Sequence, residues 1–153
     1  MNLLSDGDRL SLLPFNNNIS WASQNLLIKT GRDQLNRTVD SLFAQGGTAL
    51  YDSIDTAYQY LLTQNHGGDA DTILSIVVLT DGEDTESKMH IDELMNRIRF
   101  DGEAHTIHVF TIAYGKDARK DILGQIAETT QAKTYAGTPE NIVGVFKDIS
   151  TFF

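Results

Sequence analysis

Cysteine is absent from the 153 residues. Its absence excludes disulfide frameworks, thiolate metal sites and cysteine nucleophiles, and leaves the compartment open. Cations are scarce: 12 Lys and Arg stand against 21 Asp and Glu, a formal net charge of -9. That balance argues against nucleic acid as a partner, because binding it needs clustered Lys and Arg. No apolar run approaches the ~20 residues that span a bilayer. Met1-Asn2-Leu3-Leu4 meets Asp6 and Asp8 at once and does not read as a secretory leader, so an export address would lie outside these residues. Internal repeats, low-complexity tracts and linkers are also missing. So are the G-x-x-x-x-G-K-[ST] phosphate loop, the G-x-G-x-x-G fingerprint and the G-x-S-x-G nucleophile elbow.

What is present centres on Ile73-Leu74-Ser75-Ile76-Val77-Val78-Leu79, which runs straight into Thr80-Asp81-Gly82-Glu83-Asp84. An uninterrupted aliphatic run of this length predicts a strand buried on both faces, as in a parallel sheet covered by helices. Asp81 then stands at the carboxyl end of the strand, where open α/β sheets bind ligands. Thr-Asp-Gly is also ordinary turn chemistry, and the strand by itself leaves both readings open.

Around it, Arg9 to Phe15 and Gln24 to Lys29 read as strands, the first closed by Pro14 and the Asn16-Asn17-Asn18 loop. Thr30-Gly31-Arg32-Asp33 resembles a capping box, with Leu35, Val39, Leu42 and Phe43 on one helix face behind it. After the Gly46-Gly47 break a helix is predicted from Ala49, burying Ile54, Ala57, Tyr58, Leu61 and Leu62. Ile91, Leu94, Met95 and Ile98 mark another helix, Thr106 to Ala113 a strand, and Ile122, Leu123, Ile126 and Ala127 a further helix. Lys133-Thr134-Tyr135 reads as an edge strand. Thr138-Pro139 is placed as N-cap and first residue of a last helix with Ile142, Val145, Phe146 and Ile149 inside. The alternation β-α-β-α-β-α predicts one doubly wound α/β domain over residues 1–153, with a largely parallel sheet and helices on both faces.

Two loops carry the chemistry. Gly46-Gly47-Thr48 and Thr80-Asp81-Gly82 offer a hydroxyl and a carboxylate, each beside glycines that let backbone approach a ligand. Such oxygens suit a hard divalent cation, although two ligands are too few to hold one firmly. Glu83, Asp84 and Glu86 read as a solvated acidic turn. His105 and His108 fall on opposite faces of a strand and share no metal. His66 and His90 stand alone. Trp21, Tyr58, Tyr60, Phe152 and Phe153 are expected to pack.

Gly46-Gly47-Thr48-Ala49-Leu50-Tyr51-Asp52-Ser53, residues 76–84 and residues 107–115 together resemble the von Willebrand factor type A domain. Gly7 to Phe15, Leu123 to Ala127 and Lys133 to Tyr135 extend that likeness over nearly the whole chain. The resemblance implies a metal-ion-dependent adhesion site built from three loops, with Thr48 matching its Thr and Asp81 its Asp. A protein partner completes the coordination of Mg²⁺, or of Mn²⁺ or Ca²⁺, with a carboxylate. The D-x-S-x-S motif that follows the family's first strand is absent, and Asp6-Gly7-Asp8 precedes the second strand instead. The family's first strand and most of its first helix are therefore expected to be missing. Their loss would open a gap that the flanking strands close, that a second copy fills through exposed strand edges, or that rearranges the N-terminal part.

The resemblance implies a non-enzymatic protein-interaction module, with metal weak or absent in residues 1–153 alone. A metal-independent structural or oligomerising domain is the alternative. An Asp-dependent phosphoryl-transfer enzyme is a third, although the second Asp it would want is Glu83. The sequence names no compartment. Many bacterial members of the family sit outside the cytoplasm, at the cell envelope.

Overall fold

A computed structural model describes residues 3–43, 45–64, 72–99, 107–115 and 118–152. Its elements are β1 (Arg9–Leu12), β2 (Ser23–Leu27), α1 (Ile28–Asp40), α2 (Leu50–Gln64), β3 (Leu74–Thr80), α3 (Ile91–Ile98), β4 (Ile107–Tyr114), α4 (Lys120–Thr129), β5 (Thr134–Gly137) and α5 (Ile142–Ile149), followed by a 3₁₀ turn at Ser150–Phe152. β3, β4 and β5 form a parallel sheet in that order, with Leu74 to Thr80 in register with Ile107 to Ala113. Strands joined through α3 and α4 can pair in parallel because those helices return the chain to the same end. β1 and β2 form a separate antiparallel pair.

Side chains alternate across the parallel sheet. Val78 of β3 and Ile107 and Val109 of β4 join Leu50, Ile54, Leu94, Leu123 and Ile126 in the larger core, so α2, α3 and α4 cover one face. Phe110 and Ile112 point the other way onto Val145 and Ile149 of α5. The result is the expected α/β architecture with helices on both faces. Thr111 sits inside at 0 % exposure because its hydroxyl bonds Leu123 O and Thr134 Oγ1. Thr130 is buried likewise, taking the Val109 N–H on its Oγ1.

Several expectations fail locally. β3 is not covered on both faces: Ile73 and Leu79 are 54 % and 43 % exposed, since α5 shields only part of that side. The capping box at Thr30 is overridden. α1 begins at Ile28, with Leu27 as its N-cap, and Ile28 N and Lys29 N donate to Asp8 O and Asp6 O, so backbone carbonyls from another loop do the capping. α1 also stops at Asp40, which leaves Leu35 buried but Val39, Leu42 and Phe43 exposed. Leu62 and Phe146 are likewise exposed. α5 starts at Ile142 behind Asn141, with Thr138 and Pro139 in a turn ahead of it, although Ile142 N still reaches Thr138 O. Of the three outcomes for the gap, closure by the flanking strands does not occur. Among the described residues β3 pairs only with β4, and β1 only with β2.

The β1–β2 pair is held to the rest by its loop. Phe15 packs on the larger core, Asn16 O accepts from Ala49 N at 2.9 Å, and Trp21 lies 4.7 Å from Tyr60, ring to ring. Trp21 is thus a packing residue. His66, His105 and Phe153 fall outside the described residues.

Candidate functional site at the carboxyl end of the sheet

β3 ends on a buried Thr80, whose hydroxyl lies 3.4 Å from Gly82 N and turns the chain outward. Asp81 is exposed on that turn. The second loop arrives from the side. Gly46 has φ +82, a left-handed conformation that a side chain would strain, and a Cβ there would also overlap Asn17 Oδ1. The same Asn17 Oδ1 takes the Gly47 N–H at 2.6 Å. Thr48 is pinned by its backbone: its N–H donates to Thr85 Oγ1 at 2.9 Å, and its carbonyl accepts from Thr85 N at 2.8 Å and Glu86 N at 3.1 Å.

These bonds bring Thr48 to the turn that carries Asp81. A Cβ on Gly82 would stand 3.8 Å from Thr48 Oγ1, so the hydroxyl faces the turn that carries Asp81. That distance leaves room for a Cβ at Gly82, whereas Gly47 has none to spare. A Cβ on Gly47 would lie 2.5 Å from Glu86 Cγ and 2.8 Å from Thr85 Oγ1.

The acidic turn is not simply solvated, and here sequence reasoning missed a structural residue. Asp84 Oδ1 accepts from Leu50 N at 2.8 Å, from Tyr51 N at 3.3 Å and from Ser87 Oγ at 2.5 Å. It caps α2 from a loop more than thirty residues away, adding its negative charge to the positive end of the helix. Asp52 in the first turn of α2 reciprocates by accepting from Lys88 N at 2.9 Å and Met89 N at 3.0 Å. Its own N–H donates to Ser87 Oγ. Glu83 does face solvent. It meets Arg119 at 3.5 Å, while Arg119 holds Asp121 at 2.7 Å. That hydrogen bond from Arg119 lowers the Asp121 carboxyl to about 2. A shallow hollow lies beside this group, lined by Leu50, Tyr51, Gly82, Asp84 and Arg119. Burial first, and the Asp84 charge second, push the Tyr51 phenol above its ordinary value.

The donor set matches a hard cation in kind but not in number. Thr48 and Asp81 offer oxygen, yet Asp84 and Asp52 are occupied by helix and loop N–H groups. Among the described residues no three His, Asp or Glu side chains group to hold a metal ion. The described residues therefore do not by themselves fit a firmly bound divalent ion, which wants about six oxygen ligands. His90 precedes α3 as its N-cap, and His108 Nδ1 is 2.9 Å from Thr130 O, so neither enters this corner.

The family model for the von Willebrand factor type A domain matches residues 1–147. No curated protein matches. Solved structures match in fold. A von Willebrand factor type A protein from Catenulispora acidiphila aligns with a TM-score of 0.73 and 18 % identity, over 97 % of this chain and 34 % of its own. BatB from Bacteroides thetaiotaomicron aligns at 0.67 and 16 %, over 97 % and 78 %. Proximal thread matrix protein 1 from the mussel byssus, with a zinc-occupied MIDAS motif, aligns at 0.67 and 14 %, over 94 % and 34 %. The present chain thus spans about a third of the first of these and of the mussel protein. It belongs to the von Willebrand factor type A family.

Proposed function

We propose that this member of the von Willebrand factor type A family is a protein-interaction and adhesion module that presents Thr48 and Asp81 as two arms of an incomplete metal-ion-dependent adhesion site. The observation that supports this most directly is the approach of Thr48 Oγ1 to the Gly82 turn at the end of β3. With further oxygen ligands from outside residues 1–153, that corner would take Mg²⁺, Mn²⁺ or Ca²⁺. The bound ion would supply an open coordination position for a carboxylate of a protein partner. The chain's own residues shape the corner: Gly47 lets the two loops approach, Gly82 lies beside the Thr48 hydroxyl, and the Thr85 and Glu86 N–H groups fix Thr48. Residues 1–153 are read as one such domain, without a D-x-S-x-S loop among them. A second copy, met through exposed strand edges, is a further partner.

Non-enzymatic action fits the same picture. Asp84 is not free to serve as a second acid for phosphoryl transfer at Asp81, since its Oδ1 accepts from Leu50 N and Tyr51 N. Hydrolysis of a general phosphomonoester above background, abolished in Asp81→Ala, would support an enzyme instead. Mg²⁺-dependent capture of a carboxylate-bearing partner by the longer protein, lost in both Thr48→Ala and Asp81→Ala, would support adhesion.

The metal deficit can be measured on residues 1–153 directly. Calorimetric titration with Mg²⁺ is expected to give a dissociation constant of about a millimolar or weaker, because so few protein oxygens contribute. Micromolar binding that disappears in Asp81→Ala would show that the site is complete after all.

A further inference from the structure

The turn after α1 holds the most exposed large apolar side chain among the described residues: Phe43 is 84 % exposed. α1 ends at Asp40, and Leu42 N bonds back to Val39 O, so Leu42 and Phe43 leave the helix in a turn. There, together with Pro14 and Phe15 from the loop after β1, they line a hollow of about 220 Å³. Four uncharged polar residues, among them Asn18 and Gln45, complete the lining, and none of the described lining residues carries a charge. Apolar contacts inside an uncharged polar rim are the layout of a protein-contact hot spot. The volume falls below that of small-molecule pockets, roughly 300–1,000 Å³, and suits a single side chain.

The hollow and the Thr48 loop share their supports. Asn17 Oδ1 takes the Gly47 N–H at 2.6 Å, Asn16 O takes the Ala49 N–H at 2.9 Å, and Gln45 stands just ahead of Gly46, Gly47 and Thr48. That stretch of chain reaches about 10 Å at most. Charge separates the two sides of the corner. Beyond Asp81 lie the carboxylates of Glu83, Asp84 and Asp121 with only the Arg119 guanidinium set among them. A partner that brings a carboxylate is repelled on that side and meets no charge over the hollow. We propose that the hollow receives an apolar side chain, aromatic or long aliphatic, from the same partner segment that offers its carboxylate at Thr48 and Asp81. An extended segment advances about 3.3 Å per residue, so the apolar residue stands within about three positions of the Asp or Glu. The inference rests on the adhesion reading above and adds which residue accompanies the acid and on which side of Thr48 it lies. Phe43 is then a specificity-determining residue that supplies contact area and touches no metal.

Amide NMR of the chain, titrated with capped tetrapeptides in Mg²⁺ and in EDTA, tests this. The probes are acetyl-Phe-Gly-Gly-Asp-amide, its Ser-for-Phe analogue and its Asn-for-Asp analogue. In Mg²⁺ the first should shift the amides of Asn18, Phe43 and Gln45 and bind at least about fivefold tighter than the Ser analogue. Phe43→Ser should erase that difference and Phe43→Leu should keep most of it. Because the side chain is exposed, both variants should melt with wild type. Equal binding of the Phe and Ser peptides, with shifts at Thr48 and Gly82 that vanish in EDTA, overturns the hollow and leaves the adhesion site standing. Shifts at the hollow that ignore both EDTA and the Asn analogue overturn the proposal from the other side: the hollow then works alone and the carboxylate reading fails. No shift at the hollow with any peptide overturns it outright. Concentration-dependent shifts at Phe43 without peptide, lost in Phe43→Ser, give the hollow to a second copy and overturn the peptide partner.

Discussion

Asp84→Ala is expected to cost about 2–3 kcal/mol of stability and to lower the melting temperature by roughly 5–10 °C. The loss of a capping acceptor accounts for about 1 kcal/mol. Removing a negative charge from the helix N-terminus adds up to about 1 kcal/mol more. The rest comes from Ser87 Oγ, which loses its 2.5 Å acceptor in a half-buried setting. Asp84→Asn keeps an oxygen and gives up only the charge, so about 1 kcal/mol is expected there. Urea unfolding followed by circular dichroism would decide the matter. Two variants within about 0.5 kcal/mol of wild type would return Asp84 to the class of solvated surface acids.

The Asp84 case shows why the site was only partly legible in the sequence. Periodicity found α2, α3, α4 and the β3 and β4 strands, because each buries a face whose spacing is written locally: Leu94 and Ile98, at 0 % exposure, are one turn apart. The loops that carry Thr48 and Asp81 were legible for the same reason, since each adjoins a strong element and carries glycine. Asp84, by contrast, acts on N–H groups 33 and 34 residues back, and nothing in its neighbourhood marks it apart from Glu83 or Glu86. A signal did exist: the first turn of α2 follows Ala49, which cannot cap, so a remote carboxylate was needed.

The start of α1 failed in the mirror-image way. Thr30 and Asp33 supplied the residue types of a local cap, but the carbonyls of Asp6 and Asp8 already met the free N–H groups at Ile28 and Lys29. Main-chain caps leave no trace in side-chain identity. The exposed face of β3 is a third kind of miss. An all-aliphatic strand records the environment of a complete sheet, and Ile73 and Leu79 keep that character where no neighbour covers them.

Gly47→Ala and Gly144→Ala make the same chemical change and should move stability in opposite directions. Neither glycine is in a left-handed conformation, so packing and propensity decide. Gly144 lies exposed in α5 with nothing within 4 Å of an added Cβ. Alanine there should stabilise by about 0.5–1 kcal/mol through helix propensity. At Gly47 the added Cβ would meet Glu86 Cγ at 2.5 Å and Thr85 Oγ1 at 2.8 Å. Glu86 is exposed and can swing aside, but Thr85 Oγ1 is the acceptor for Thr48 N and cannot retreat without breaking that bond. Overpacking and the strained loop bonds together should cost about 1.5–3 kcal/mol. The loss should be local in origin: amide exchange at Thr48, Thr85 and Glu86 accelerates first, because their N–H groups tie the two loops together. If Gly47→Ala were as stable as wild type with those amides still protected, the tight approach of the loops would be wrong. The placement of Thr48 against the Asp81 turn would fall with it.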